Sequence, residues 1–139
     1  MGNRAVITAS KSKTSGVGIY LHWNGGLESV LAFLEVCNQR DYRTPGTDES
    51  YAMARLTGVL HEFFDGGLSL GLGTLKSLDT SNGDNGTYVI GPGWEVASRW
   101  GAGCQKDRLT AEHLTSEERE RMRQIVAHIT KHRATPPGQ

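Results

Sequence analysis

Ten residues, Gly18-Ile19-Tyr20-Leu21-His22-Trp23-Asn24-Gly25-Gly26-Leu27, constrain this chain more than any others. A strand-like alternating run ends in an imidazole, an indole and a carboxamide, crosses a Gly-Gly step, and opens an apolar helical pattern. A strand that feeds a helix through glycines turns free backbone N–H groups, and the positive end of the helix dipole, towards one spot. Two readings of His22 stand side by side. Either it helps to cradle an anion attached to a flat ring, such as a nucleotide, or it is a structural histidine bonded to backbone.

The elements around this step follow from periodicity. Arg4–Thr8 and Val17–Trp23 read as strands of a hairpin joined by the polar link Lys11–Gly16. Leu27, Val30, Leu31, Leu34 and Cys37 keep helical spacing as far as Asn38, and Phe33 and Val36 widen the face, so this helix is expected to be buried on two sides. Arg40–Gly46, with Pro45, is a break. Thr47 and Asp48 offer N-cap chemistry for a second helix of about 16 residues, with Ala52, Met53, Leu56, Val59, Leu60 and Phe63 inside. Asp65-Gly66-Gly67 stops it. Leu68–Leu72, Thr87–Ile90 and Glu95–Arg99 alternate as strands, the last two joined by the turn Gly91-Pro92-Gly93. Thr115 and Glu118 form a capping box for a last helix with the stripe Met122, Ile125, Val126 and Ile129. The expected fold is α+β: an antiparallel sheet of about five strands with three helices. Residues 1–133 form one domain, oligomeric through its sheet or last helix, and Ala134–Gln139 a disordered tail.

Composition excludes several classes. Fifteen basic residues balance fifteen acidic ones, which removes any general attraction to DNA or to a membrane surface. No run approaches the ~18 apolar residues of a membrane span, and no charged-then-apolar leader opens the sequence, so a cytoplasmic protein is expected. Cys37 and Cys104 stand singly, and Cys37 reads as a small core hydrophobe in a reducing compartment. Most of the glycines fall in three clusters, 16–26, 66–73 and 83–103, which suits tight turns rather than disorder.

The remaining chemistry is sparse. Asp79, Ser81, Gly83 and Asn85 alternate as calcium ligands would, but the sixth place of such a loop is not Gly and the twelfth is Ile90 instead of Glu. A turn-rich loop, or ligand contact by Asn82 or Asn85, is the better reading. Gly66–Gly73 lacks the Gly-Lys-Ser/Thr ending of a phosphate loop. His128 and His132 stand i, i+4 without a third ligand in register, so no metal or cofactor is expected. Arg55 borders the apolar stripe of its helix, either paired with Glu35 or Asp65 or free to fork onto phosphate or stack on a base. Tyr88, Trp94, Arg99 and Trp100 offer stacking surface for a purine, and core or subunit packing explains the two Trp equally well. Gly-x-Ser-x-Gly is absent and no Cys neighbours a polarising group, which favours binding over turnover.

Gly2-Asn3-Arg4-Ala5-Val6-Ile7-Thr8 and Gly18–Gly26 resemble small proteins of phages and prophages, as do Ala54-Arg55-Leu56, Phe63-Phe64 and Asp84–Ile90. Over about residues 2–100 the chain looks most like the type-one Thoeris anti-defence sponge family. That resemblance implies a non-enzymatic protein of the host bacterial cytoplasm that sequesters cyclic ADP-ribose isomers made by TIR enzymes. It also implies, for some members, separate sites for cyclic oligonucleotides, and hexamers built from dimers with pockets at subunit contacts. Matched motifs carry over Arg55 and Asn85 as ligand contacts, then His22, Asn24, Tyr88 and Arg99. The last helix lies outside the match. Two other classes remain: a protein-binding inhibitor of a bacterial defence enzyme, which would expose an apolar patch, and a nucleotide-processing enzyme with His22 as general base.

Overall fold

The computed structural model describes residues 2–65 and 69–132, with the side chains of Cys104 and His132 excepted. Its elements are β1 (Ala5–Thr8), β2 (Val17–Leu21), α1 (Leu27–Gln39), α2 (Glu49–Phe64), β3 (Leu70–Thr74), β4 (Thr87–Ile90), β5 (Val96–Gly101), β6 (Cys104–Leu109) and α3 (Ser116–His132). The strands form one sheet in the order β3-β2-β1-β4-β5-β6.

This α+β domain corrects the expected sheet in two ways. Among the described residues there are six strands, and the sheet is mixed: β1 runs antiparallel to β2 but parallel to β4, with Val6 opposite Thr87 and Thr8 opposite Val89. Both β1 and β4 are buried on both faces, so their near-continuous apolar runs carry no mark of direction. β6 escapes a periodicity reading because Cys-Gln-Lys-Asp-Arg-Leu is largely an exposed edge with no apolar face to alternate.

The helix termini follow the chemistry of their caps. Asp48 accepts from the Tyr51 amide at 3.0 Å to start α2, and Asp65, left-handed at φ 50°, ends it. Gly66, Gly67 and Leu68 lie outside the described residues, as does the tail Ala134–Gln139. Thr115 and Glu118 exchange their two capping bonds at 3.1 and 2.8 Å. The Thr115 amide holds the Glu118 carboxyl below the usual carboxylate range.

All three helices pack on one side of the sheet, α1 against α2 and α3. Ala5, Ile7, Ile19, Leu21, Tyr88, Ile90 and Val96 meet Val30, Phe33, Leu34, Leu56 and Leu60 in a single core. Each such aliphatic or Phe side chain stabilises the fold by ~1.5–3 kcal/mol on burial. Cys37 belongs to this core, and burial pushes its thiol up to about 12. Arg40, just past α1, forks onto Glu62 of α2 at 2.6 and 3.0 Å and ties the two helices together.

The other side of the sheet is only half covered. Segment 75–86 lies over β1 and β2, and Gly18 makes room for it. A Cβ there would stand 3.0 Å from the side chains of Leu75, Leu78 and Val6. Beyond β4, whose residues are all buried, the second face of β5 and β6 is only partly covered, and a groove opens there. No helix among the described residues is long and apolar enough to cross a membrane.

Candidate functional site

The step from β2 into α1 forms as its glycines require. Gly25 presses against β1, where a Cβ would stand 2.6 Å from the Asn3 carbonyl and 2.7 Å from the Ala5 Cβ. Asn24 takes the left-handed conformation at φ 59°, which Asn tolerates better than most residues, and donates to Ser29 Oγ at 3.3 Å. His22 Nδ1 pairs with the Tyr20 hydroxyl at 3.0 Å, so the side-chain bond replaces the backbone partner of the structural reading. Its ring stands edge-on to Trp23, which is 46% exposed. The start of α1 differs from an open anion cradle. No side chain caps Gly26, but Glu28 folds back so that its Oε1 would lie 2.5 Å from a Cβ at Gly26. The positive end of the helix is met by the chain's own carboxylate.

Three of the site residues expected from sequence, Asn85, Tyr88 and Arg99, come together beside this step. Arg99 donates to the Asn85 carbonyl at 2.8 Å and to its Oδ1 at 3.2 Å, and lies 5.0 Å from the Tyr88 ring centroid. Asn85 in turn donates to Asn3 Oδ1 and the Arg4 carbonyl. Tyr88 is fully buried, with its hydroxyl on the Gly25 carbonyl at 2.8 Å. Within one chain these groups brace the N-terminus, the loop before β4 and the start of α1.

Beneath them Asn82, 2% exposed, ties the loop together. Its Nδ2 donates to the carbonyls of Asp79 and Gly86, and its Oδ1 accepts from the amides of Asp84, Asn85 and Gly86. Asp84 and Asp79 both turn to Arg4, at 2.9 and 3.4 Å. The Arg4 guanidinium bond holds the Asp84 carboxyl below its ordinary range. Both carboxylates of the loop that alternates like a calcium site thus face a cation of the chain.

Arg55 stands apart from the other five. It is exposed on α2 and pairs with neither Glu35 nor Asp65. Its guanidinium lies 4.4 Å from the Tyr51 ring centroid, and Arg43 lies 4.8 Å from the same ring. Of the two late Trp residues, Trp94 belongs to the core, with Nε1 on the Tyr42 carbonyl at 3.1 Å. Trp100 is half-buried on the open face of β5.

Two cavities border these residues. One of about 490 Å³ lies at the start of α1, between Asn3, Asn24, Glu28 and Ser29 on one side and Arg121, Gln124 and His128 of α3 on the other. His128 is exposed on α3, and its ring also meets Phe63 edge-on at 5.8 Å, a contact that depends on how α3 packs across the start of α1.

The second cavity is an apolar groove of about 550 Å³ on the open face of the sheet. Val89, Ile90 and Ala97 contribute apolar lining, Pro45 and Pro92 stand at one end, and Ser98, Gln105 and Glu49 offer polar groups. Lys11 and Lys13, from the β1–β2 loop, also line the groove, and the Lys13 ammonium sits 5.2 Å from the Trp100 ring centroid. Sequence reasoning marked the Trp100 ring but missed both lysines, whose Lys-Ser-Lys spacing inside a hairpin link was the available signal.

A flat ring, two ammonium groups and an apolar wall suit a ligand that joins a base to phosphate. Comparison with known proteins finds no matching family, no matching curated protein and no matching solved structure.

Proposed function

We propose that this protein binds a cyclic ADP-ribose-type signalling nucleotide and holds it unchanged, as its resemblance to the type-one Thoeris sponges implies. The observation that carries the reading is the Trp100 ring beneath the Lys13 ammonium, in a groove of about 550 Å³ that Lys11 also lines. An adenine stacked on an aromatic side chain gains ~1–3 kcal/mol. Stacking displaces the Lys13 ammonium from the ring towards the pyrophosphate, where Lys11 joins it. The cyclic ligand has few torsions to freeze, so little ordering entropy opposes binding.

Holding differs from turnover in needing no activated nucleophile. Cys37, with its thiol raised to about 12, is inert at neutral pH. Arg55, exposed on α2, is proposed to reach a ligand from a neighbouring subunit of a hexamer. His22, Asn24, Asn85, Tyr88 and Arg99 then shape the adjoining end of the domain. A cyclic oligonucleotide is a further candidate ligand, and the host bacterial cytoplasm is the proposed place of action.

The test is to incubate purified protein with TIR-derived cyclic ADP-ribose, filter, heat the retained fraction and repeat chromatography. Sequestration removes the compound from the filtrate and returns it intact after heating. An altered product favours an enzyme. No loss at excess protein defeats the nucleotide reading and leaves a protein-binding inhibitor.

A further inference from the structure

The two edges of the sheet are built differently. β6 carries exposed Lys106, Asp107 and Arg108, and Arg108 bends it at φ 52°. Charges and irregular backbone of this kind block the addition of another strand. β3 is Leu-Gly-Leu-Gly-Thr, with no charge, Pro or bulge. Leu72 on it is 64% exposed, and Val17 beside it 54%.

The hydrogen bonds of β3 fix which way its backbone points. Leu75 N donates to the Gly16 carbonyl and His22 N to the Ser69 carbonyl, at 3.0 and 3.1 Å. Bonded pairs alternate along an antiparallel ladder, so between these limits Gly18–Gly73 and Tyr20–Gly71 are the bonded ones. The backbone groups of Leu70, Leu72 and Thr74 therefore point outward. Of these the Thr74 carbonyl is already used by the amides of Ser77 and Leu78. Among the described residues no strand meets this outer edge.

We infer that β3 is the contact between two copies of this chain, paired antiparallel about a two-fold axis through Leu72. The sequence is self-complementary in that register. Leu72 faces Leu72 of the second copy, and Leu70 faces Thr74. The pairing forms about four backbone bonds, two between the Leu72 residues and one from each Thr74 amide to the opposite Leu70 carbonyl. Leu72 lies opposite the core residue Ile19, so both Leu72 side chains project on the helix side. There they meet at the mouth of an apolar trough of about 450 Å³ lined by Val17, Met53, Ala54 and Thr57. On the other side Gly71 meets only Tyr20, and Ser77 and Leu78 of the following turn lie over Gly73. Two six-stranded sheets become one.

The inference names the interface within the oligomer proposed above, and its test reads mass rather than nucleotide retention, so the two fail separately. Light scattering and sedimentation over a roughly hundredfold dilution should show an assembly of even copy number. Leu72→Lys sets like charges face to face and should halve the mass or reduce it to monomer, with an unchanged circular dichroism spectrum. In a Cys104→Ser background, Leu72→Cys should form a covalent dimer on oxidation, because opposed Cα atoms in a bonded pair stand about 5.5 Å apart, within disulfide reach. Val17→Cys should not. A wild-type monomer at the highest concentration overturns the inference, and would leave the edge open to another protein's strand. An assembly untouched by Leu72→Lys overturns it too.

Discussion

Replacing Asn82 with Ala should unravel the loop before β4 and remove a large share of the stability of the domain. The side chain is 2% exposed and makes five hydrogen bonds to backbone. The costliest loss is at Gly86, whose buried amide gives up its bond to Oδ1, at ~1–3 kcal/mol. The Gly86 carbonyl keeps the Val6 amide, and the Asn85 amide keeps the Arg4 carbonyl at 3.2 Å, so their losses are milder. Counting ~0.5 kcal/mol for each of the four remaining bonds gives a total of about 3–5 kcal/mol. For a chain of this length that is a fall in Tm of about 10–17 °C. Thermal and urea unfolding followed by circular dichroism measure it. Asn82→Asp, which keeps the acceptor and loses both donors, should fall between variant and wild type. Amide exchange at Asp84, Asn85 and Gly86 should accelerate in the Ala variant beyond the global effect. A loss below about 1 kcal/mol, with those amides still protected, would refute the view that this carboxamide organises the loop.

Three further outcomes are expected. Trp100→Ala and Arg55→Ala should each weaken retention of cyclic ADP-ribose without changing the assembly; unchanged retention in Arg55→Ala would make that residue only a partner of Tyr51. Asp84, depressed chiefly by its bond to Arg4, stabilises the fold above the unfolded carboxylate value and loses that contribution as pH falls through its folded pKa. The Tm gap between wild type and Asp84→Asn should therefore be full at pH 7 and close below about pH 4; a gap that persists in stronger acid contradicts the ion pair. Cys37, raised to about 12 by burial, should resist iodoacetamide at pH 8 in a Cys104→Ser background and react once denaturant is added; equal rates in both states would contradict its burial.

What the sequence disclosed and what it concealed divide along physical lines. Local chemistry was legible: the Asp48 cap, the Thr115–Glu118 box and the stripes of α2 and α3 depend on residues within a turn or two of each other. The parallel β1–β4 pair was not, since residues as far apart in sequence as Val6 and Thr87 meet there and burial on both faces hides their direction. At the candidate site the same limit applies. His22, Trp23 and Asn24 stood in one readable stretch, but the turn of Glu28 over the helix start depends on a rotamer. The union of Lys11 and Lys13 with Trp100 depends on how a hairpin loop folds across the sheet. Asn85 and Arg99 were singled out separately, and nothing local joins them.

The place of β1 in the sheet bears on how the protein is made. A ribosome synthesises β1, β2, both of the first helices and β3 before it has completed Thr87–Ile90, the strand that closes the other side of β1. At ~5–20 residues per second the interval is on the order of 10 s, long beside the folding time of a small domain. Throughout it the apolar strand Ala5–Thr8 presents an open backbone edge to its surroundings. The nascent chain is thus most prone to mispairing in mid-synthesis, and any product truncated before Thr87 keeps that vulnerability for good.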